Sequence, residues 1–173
     1  MSPEFSRPVR IDTLGEGKCT MTIEADIPEC AALAARFGLV SVASLAAEAV
    51  LRREGDIIHA EGRIKAAAVQ ACVATAGPVP ATIDEAFSLR FVPAGADSGE
   101  EIELDAEAVD TIDYQGSAID LGEAVAETLA LSLDPFPRAP DADVALREAG
   151  VLSEDQVLTG PFAALKALKD RLK

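Results

Sequence analysis

A chain of 173 residues has room for one domain with its own core and is short for two. Its formal net charge of −15 excludes a surface that holds nucleic acid through a general excess of Lys and Arg, and it favours basic partners. Hydrophobic residues make up 49% of the chain and aromatic ones only 4%, so the core is expected to be Ala, Val, Leu and Ile, with Phe87, Phe91, Phe136 and Phe162 as its large anchors.

Val9 to Leu14 reads as a first short strand. Between Cys19 and Ile27, apolar Cys19, Met21, Ile23, Ala25 and Ile27 alternate with Thr20, Thr22, Glu24 and Asp26, the pattern of a strand with one buried face. Pro28 suits the first position of a helix, whose apolar positions are Cys30, Leu33, Ala34 and Phe37, and Gly38 is its natural left-handed cap. Leu39 to Arg53 fits a strand or an Ala-rich helix by propensity; alternation into the Glu54-Gly55-Asp56 turn favours a hairpin. Ile57 to Thr75 follows as one or two strands with a possible bulge at Gly62, Gly77-Pro78 turns the chain, and Ala81 to Val92 is another strand.

Pro93 to Glu101 is a polar loop of small residues, and Leu104 to Tyr114 is a short helix or an edge strand. Arg138 to Asp143 has the composition of a linker. Gly160-Pro161 opens a final amphipathic helix, with Phe162, Leu165, Leu168 and Leu172 on one side and Lys166, Lys169, Arg171 and Lys173 as its cations. These elements predict an α+β fold: a curved antiparallel sheet or partial β-barrel with packed helices, in one domain over residues 1–137. Residues 138–173 form a linker and a C-terminal helix packed on that domain or extending from it.

The most informative stretch is Ile119 to Pro140, IDLGEAVAETLALSLDPFPRAP. Asp120 is a good N-cap with Glu123 three residues on, and the Asp134-Pro135-Phe136-Pro137 run stops the helix. At helical spacing Leu121, Val125, Leu129 and Ser132 share one side, and Asp120, Glu123, Glu127 and Asp134 line the other as a ridge of carboxylates. From Phe91 to Pro137 there are twelve Asp or Glu residues and no Lys or Arg. A solvated acidic face accounts for this as well as a surface for basic proteins does.

This stretch resembles the C-terminal motif of the YceD family of bacterial proteins. Gln70-Ala71-Cys72-Val73-Ala74-Thr75, Ile83-Asp84-Glu85-Ala86-Phe87 and the closing Phe162 to Lys169 extend the likeness over most of the chain. The resemblance implies a role in the accumulation or processing of large-subunit (23S) ribosomal RNA rather than a known chemical reaction. It points to Asp120, Glu123, Glu127, Asp134 and Arg138 as partner-binding residues, with Pro135 and Pro137 fixing the presentation of Phe136. Expected partners are basic ribosomal proteins or pre-large-subunit particles, with ribosomal RNA touched directly or indirectly. Many relatives carry C-x-x-C where this chain has Cys72 and Thr75; a threonine hydroxyl is a poor zinc ligand, so this is a degenerate metal motif, and neither a metal nor a cofactor is expected.

No catalytic residue is singled out. His59, the only histidine, has no nucleophile signature beside it, and neither a P-loop nor a dinucleotide fingerprint is present. Three cysteines, an odd number, without an apolar leader in MSPEFSRPVR or a run of about 18 apolar residues, suggest a cytoplasmic protein that does not enter a membrane. A non-enzymatic assembly factor is therefore the leading expectation. Its rivals are a direct RNA binder using Lys166, Lys169, Arg171 and Lys173, and a metal-binding adaptor that has lost its metal.

Overall fold

The computed structural model describes residues 3–15, 17–95 and 110–151. The chain is α+β. Its centre is an open, partly curved sheet of five strands in the order β2 (Cys19–Glu24), β3 (Ser41–Glu54), β4 (Ile57–Ala71), β5 (Pro78–Pro93) and β6 (Asp110–Tyr114). A second, two-stranded sheet pairs β1 (Pro8–Arg10) with β7 (Ala118–Asp120). The described residues also form three α-helices: α1 (Ile27–Arg36), α2 (Leu121–Ser132) and α3 (Ala142–Glu148). The sheet does not close into a barrel, since β2 and β6 remain at opposite edges.

The long hairpin β3–β4 forms because each strand alternates apolar with polar or small residues in matching phase. Leu45, Ala47, Ala49 and Leu51 face the core opposite Ala66, Ile64, Gly62 and Ala60. Gly55 makes the turn at φ +62, a left-handed conformation that costs glycine nothing. Gly62 is not at a bulge. Its register runs unbroken from Ala49 through Gly62 to Phe87, and the Phe87 ring lies over the glycine. The irregularity of β3 is instead between Val42 and Ser44.

Other expectations shift for local reasons. Val9 pairs as foreseen, but the first strand ends at Arg10 and Ile11–Thr13 is one turn of 3-10 helix. The alternating strand stops at Glu24, and Ile27 is exposed because it opens α1. Asp26 caps that helix reciprocally with Glu29, so the helix begins one residue before Pro28. β5 starts at Pro78, earlier than Ala81, because Pro78 and Pro80 pair towards β4. β6 is an edge strand parallel to β5, the one departure from antiparallel order in the main sheet. α3 begins within the stretch that reads as linker, with Ala142 buried.

The core lies between one face of the sheet, α1, α2 and the N-terminal segment, where Phe5, Leu33, Leu45, Ile64, Val125 and Leu129 are all fully enclosed. Leu121, Val125 and Leu129 form the buried side of α2 as their spacing predicts; Ser132 is half-buried. Phe87 and Phe91 are core residues, but Phe136 is 73% exposed. Among the described residues no helix is long and apolar enough to cross a membrane.

Candidate functional site

The end of β4 and the proline-rich segment after α2 meet in one junction. Alternation along β4 points Ile64, Ala66, Ala68 and Gln70 to the same buried side. Gln70 is the one polar residue buried there among those described, and its Nε2 donates to the Asp134 carbonyl at 2.8 Å. Three residues on, the Val73 N–H donates to the Pro137 carbonyl at 2.9 Å, and the Ala139 N–H donates to Cys72 Sγ at 3.3 Å. Three contacts therefore fasten Asp134–Ala139 to the strand end. Beyond β4, Cys72 exchanges backbone contacts with Ala76 and Gly77, and Ala76 sits at φ 56, a strained position for a residue with a Cβ.

Phe136 is presented by this junction. Asp134 Oδ1 accepts from the Phe136 N–H at 2.8 Å, an Asx turn around Pro135, while Pro137 is buried behind it. The ring is turned away from the core for that reason. Beside it, Leu131 and Val73 are also exposed, and a cavity of about 510 Å³ opens between Phe37, Leu39, Val73, Leu131, Pro135 and Pro137. Single exposed apolar residues are ordinary; here Leu131 and Val73 line one groove, and Phe136 stands between Pro135 and Pro137, which line it too.

Asp120, Glu123, Glu127 and Asp134, on and beside α2, are not one open ridge. Asp120 caps the helix, accepting from the Glu123 N–H at 3.1 Å, and also accepts from the Ser6 hydroxyl at 2.5 Å and the Arg7 N–H at 2.8 Å. Glu123 does not reach back to complete a capping box. Both of its oxygens are taken by Arg36, at 2.6 and 2.9 Å, and Arg36 also binds Glu4. The Arg36 guanidinium is held firmly protonated, first by its bond to Glu123. Glu127 and Asp134 remain in solvent. Arg138 is exposed and pairs with Asp143 at 3.1 Å.

Cys72 is buried, and its thiol is drawn down to about 7 from an ordinary value of 9.0, chiefly by the Ala139 N–H and then by the Thr75 hydroxyl. Thr75 thus supports the sulfur where other sequences would place a second thiol; its hydroxyl also accepts from the Gly77 N–H at 3.2 Å. Among the described residues no group of three or more His, Cys, Asp or Glu side chains is placed to hold a metal ion. Cys19 lies at the opposite end of the sheet, and Cys30 is buried on α1, where burial pushes its thiol up. Because the folded thiol is the stronger acid, Cys72 adds to stability above about pH 9, and this contribution fades as pH falls through about 7. Chemical denaturation across that range should give a steeper rise in stability with pH for the native chain than for Cys72→Ala; parallel curves would show that the thiolate is not held.

His59 lies on the solvent face of β4, its Nε2 3.4 Å from Glu54, with no nucleophile among its described neighbours. Lys166, Lys169, Arg171, Lys173 and Phe162 fall outside the described residues, as do the loop and strand expectations over 96–109. Gln70 and Arg36 are the residues that sequence reading passed over. A glutamine in phase with the buried side of a strand was the available signal for the first. Nothing local marks the second, whose partner is 87 residues away.

Comparison with known proteins gives a family match. The family model described as large ribosomal RNA subunit accumulation protein YceD matches residues 60–169, which takes in most of β4, all of β5 and α2, and the whole Gln70–Ala139 junction. No curated protein and no solved structure matches the chain. With well over half of its length matched, the chain belongs to the YceD family of large ribosomal RNA subunit accumulation proteins.

Proposed function

We propose that this chain is a non-enzymatic, cytoplasmic factor in the accumulation of large-subunit ribosomal RNA, and that it acts by holding basic ribosomal proteins or assembly intermediates at the Asp134–Arg138 turn. The observation that carries the reading is Phe136, a large aromatic side chain 73% exposed on a turn locked by an Asx contact and a buried proline. A rigid, exposed aromatic loses little conformational freedom on binding, which makes it an efficient anchor. Leu131 and Val73 extend the apolar contact, and Glu127 and Asp134 supply carboxylates for Lys or Arg of the partner. Asp120 and Glu123 serve by holding α2 in place, and Pro135 and Pro137 by shaping the turn. The exposed Arg138–Asp143 pair is worth little by itself, so a basic partner can replace Arg138 at Asp143.

A tagged chain should recover precursor large-subunit RNA and a subset of basic ribosomal proteins from growing cells after a salt wash. Phe136→Ala should lose both by about tenfold or more with an unchanged unfolding midpoint, since a solvent-facing ring contributes little to folding. Reversal of Glu127 and Asp134 to Lys should weaken recovery most at low salt. Partners unrelated to the ribosome, or full recovery by Phe136→Ala, would overturn this reading.

A further inference from the structure

A cavity of about 1030 Å³ opens away from Phe136. It lies between α1 and the first residues of β3. β2 pairs with β3 only as far as Glu24 opposite Ala46, because Asp26 caps α1 and turns the chain away. Ser41 to Ser44 therefore have β4 on one side and, among the described residues, no strand on the other. A strand edge left open presents backbone N–H and C=O groups as a template for another strand.

The open run on the opposite side of the sheet is guarded. Among the described residues β6 pairs β5 only from Leu89 onwards, and the run before it carries Pro78, Pro80, Asp84 and Glu85, which remove donors or add charge. Ser41-Val42-Ala43-Ser44 has no proline and no charge. Its groove has a floor of small residues, with Ala31 and Ala35 of α1 exposed to it, and an apolar rim where Ile27 is 87% and Val40 58% exposed. Glu24 and Asp26 stand at the mouth, and no Lys or Arg among the described residues lines it.

We propose that this groove binds an extended basic peptide segment, which adds to the edge of β3 at Ser41–Ser44 as a further strand. Backbone pairing supplies the attachment, alternate apolar side chains cover Ile27 and Val40, and Lys or Arg meets Glu24 and Asp26. The charge at the mouth selects this occupant over a second copy of so acidic a chain, whose repulsion opposes edge-to-edge pairing. The groove goes beyond the Phe136 surface and does not depend on it.

The test is fluorescence anisotropy of the full chain with a labelled peptide of alternating Val and Lys. Binding is expected at low salt. It should fall about tenfold or more when the peptide is N-methylated along one edge, because the paired donors are lost. Ala31→Arg, an exposed change that narrows the groove and adds a like charge, should cost as much while leaving the circular dichroism unchanged. Phe136→Ala should leave binding intact, which separates this site from the turn. Equal binding of the N-methylated peptide, no binding at all, or a self-association that the peptide fails to displace would overturn the proposal.

Discussion

Gly62→Ala should destabilise the protein by about 4 kcal/mol, the scale reached only when a core position cannot accommodate a new atom. An added Cβ would stand 2.2 Å from the Glu48 carbonyl, 2.7 Å from Phe87 Cζ and 2.9 Å from Ala49 Cα. The first and third are backbone atoms of the neighbouring strand, which cannot retreat without opening the β3–β4 ladder at its middle. Only the Phe87 ring is free to turn. A loss of this size removes much of the ~5–15 kcal/mol that holds a typical domain. Urea titration with Phe87→Leu as the partner change separates the two causes: the double variant should regain only the minor part belonging to the ring. A Gly62→Ala protein within about 1 kcal/mol of the native chain would mean that the strands do not approach this closely.

The second large effect is expected at Gly122, in the first turn of α2. A Cβ there would meet the Phe5 carbonyl oxygen at 2.5 Å and the Arg7 nitrogen at 2.8 Å. Alanine gains about 1 kcal/mol of helix propensity over glycine, so an isolated helix would be strengthened. In this fold the sign reverses, because the helix start lies directly against the N-terminal segment. Leu121 N–H donates to the Arg7 carbonyl, Asp120 accepts from Ser6 and Arg7, and the Phe5 ring is fully buried beneath the Arg7 guanidinium. Gly122→Ala should cost about 2–3 kcal/mol net and release these contacts. Amide exchange should then accelerate at Arg7 and Leu121 while the centre of β4 stays protected. Uniform acceleration would show that the segment and the sheet unfold as one unit; no acceleration would rule out the close packing.

Much of the fold was legible because its causes are local. Alternation marked β2, the β3–β4 hairpin and β5; the Glu54-Gly55-Asp56 turn set the hairpin; Asp120 and the two prolines bounded α2. The Asp26–Glu29 capping box was equally local and shows why α1 starts at Ile27 rather than Pro28. Strand order was not legible in this way. Nothing in Asp110–Tyr114 says that it runs parallel to β5, and nothing in Ala118–Asp120 says that it pairs with Pro8–Arg10.

The carboxylates of α2 mark the boundary most clearly. Periodicity places Asp120, Glu123 and Glu127 on the helix surface, and the sequence alone determined that much. Which of them meets solvent depends on what packs there: Ser6, Arg7 and Arg36 arrive from distant parts of the chain and occupy Asp120 and Glu123, and among the described residues Glu127 stays exposed. Phe136 follows the same rule in reverse. Composition assigns a phenylalanine to the core, but Gln70, Cys72 and Val73 hold the backbone around it so that the ring faces out. Sequence determined most of the elements and the membership of the family, because hydrophobic alternation, capping and motif are properties of neighbours along the chain. Only the tertiary structure decided which charges are spent internally and which side chains are left for a partner, because that depends on contacts between residues far apart in sequence.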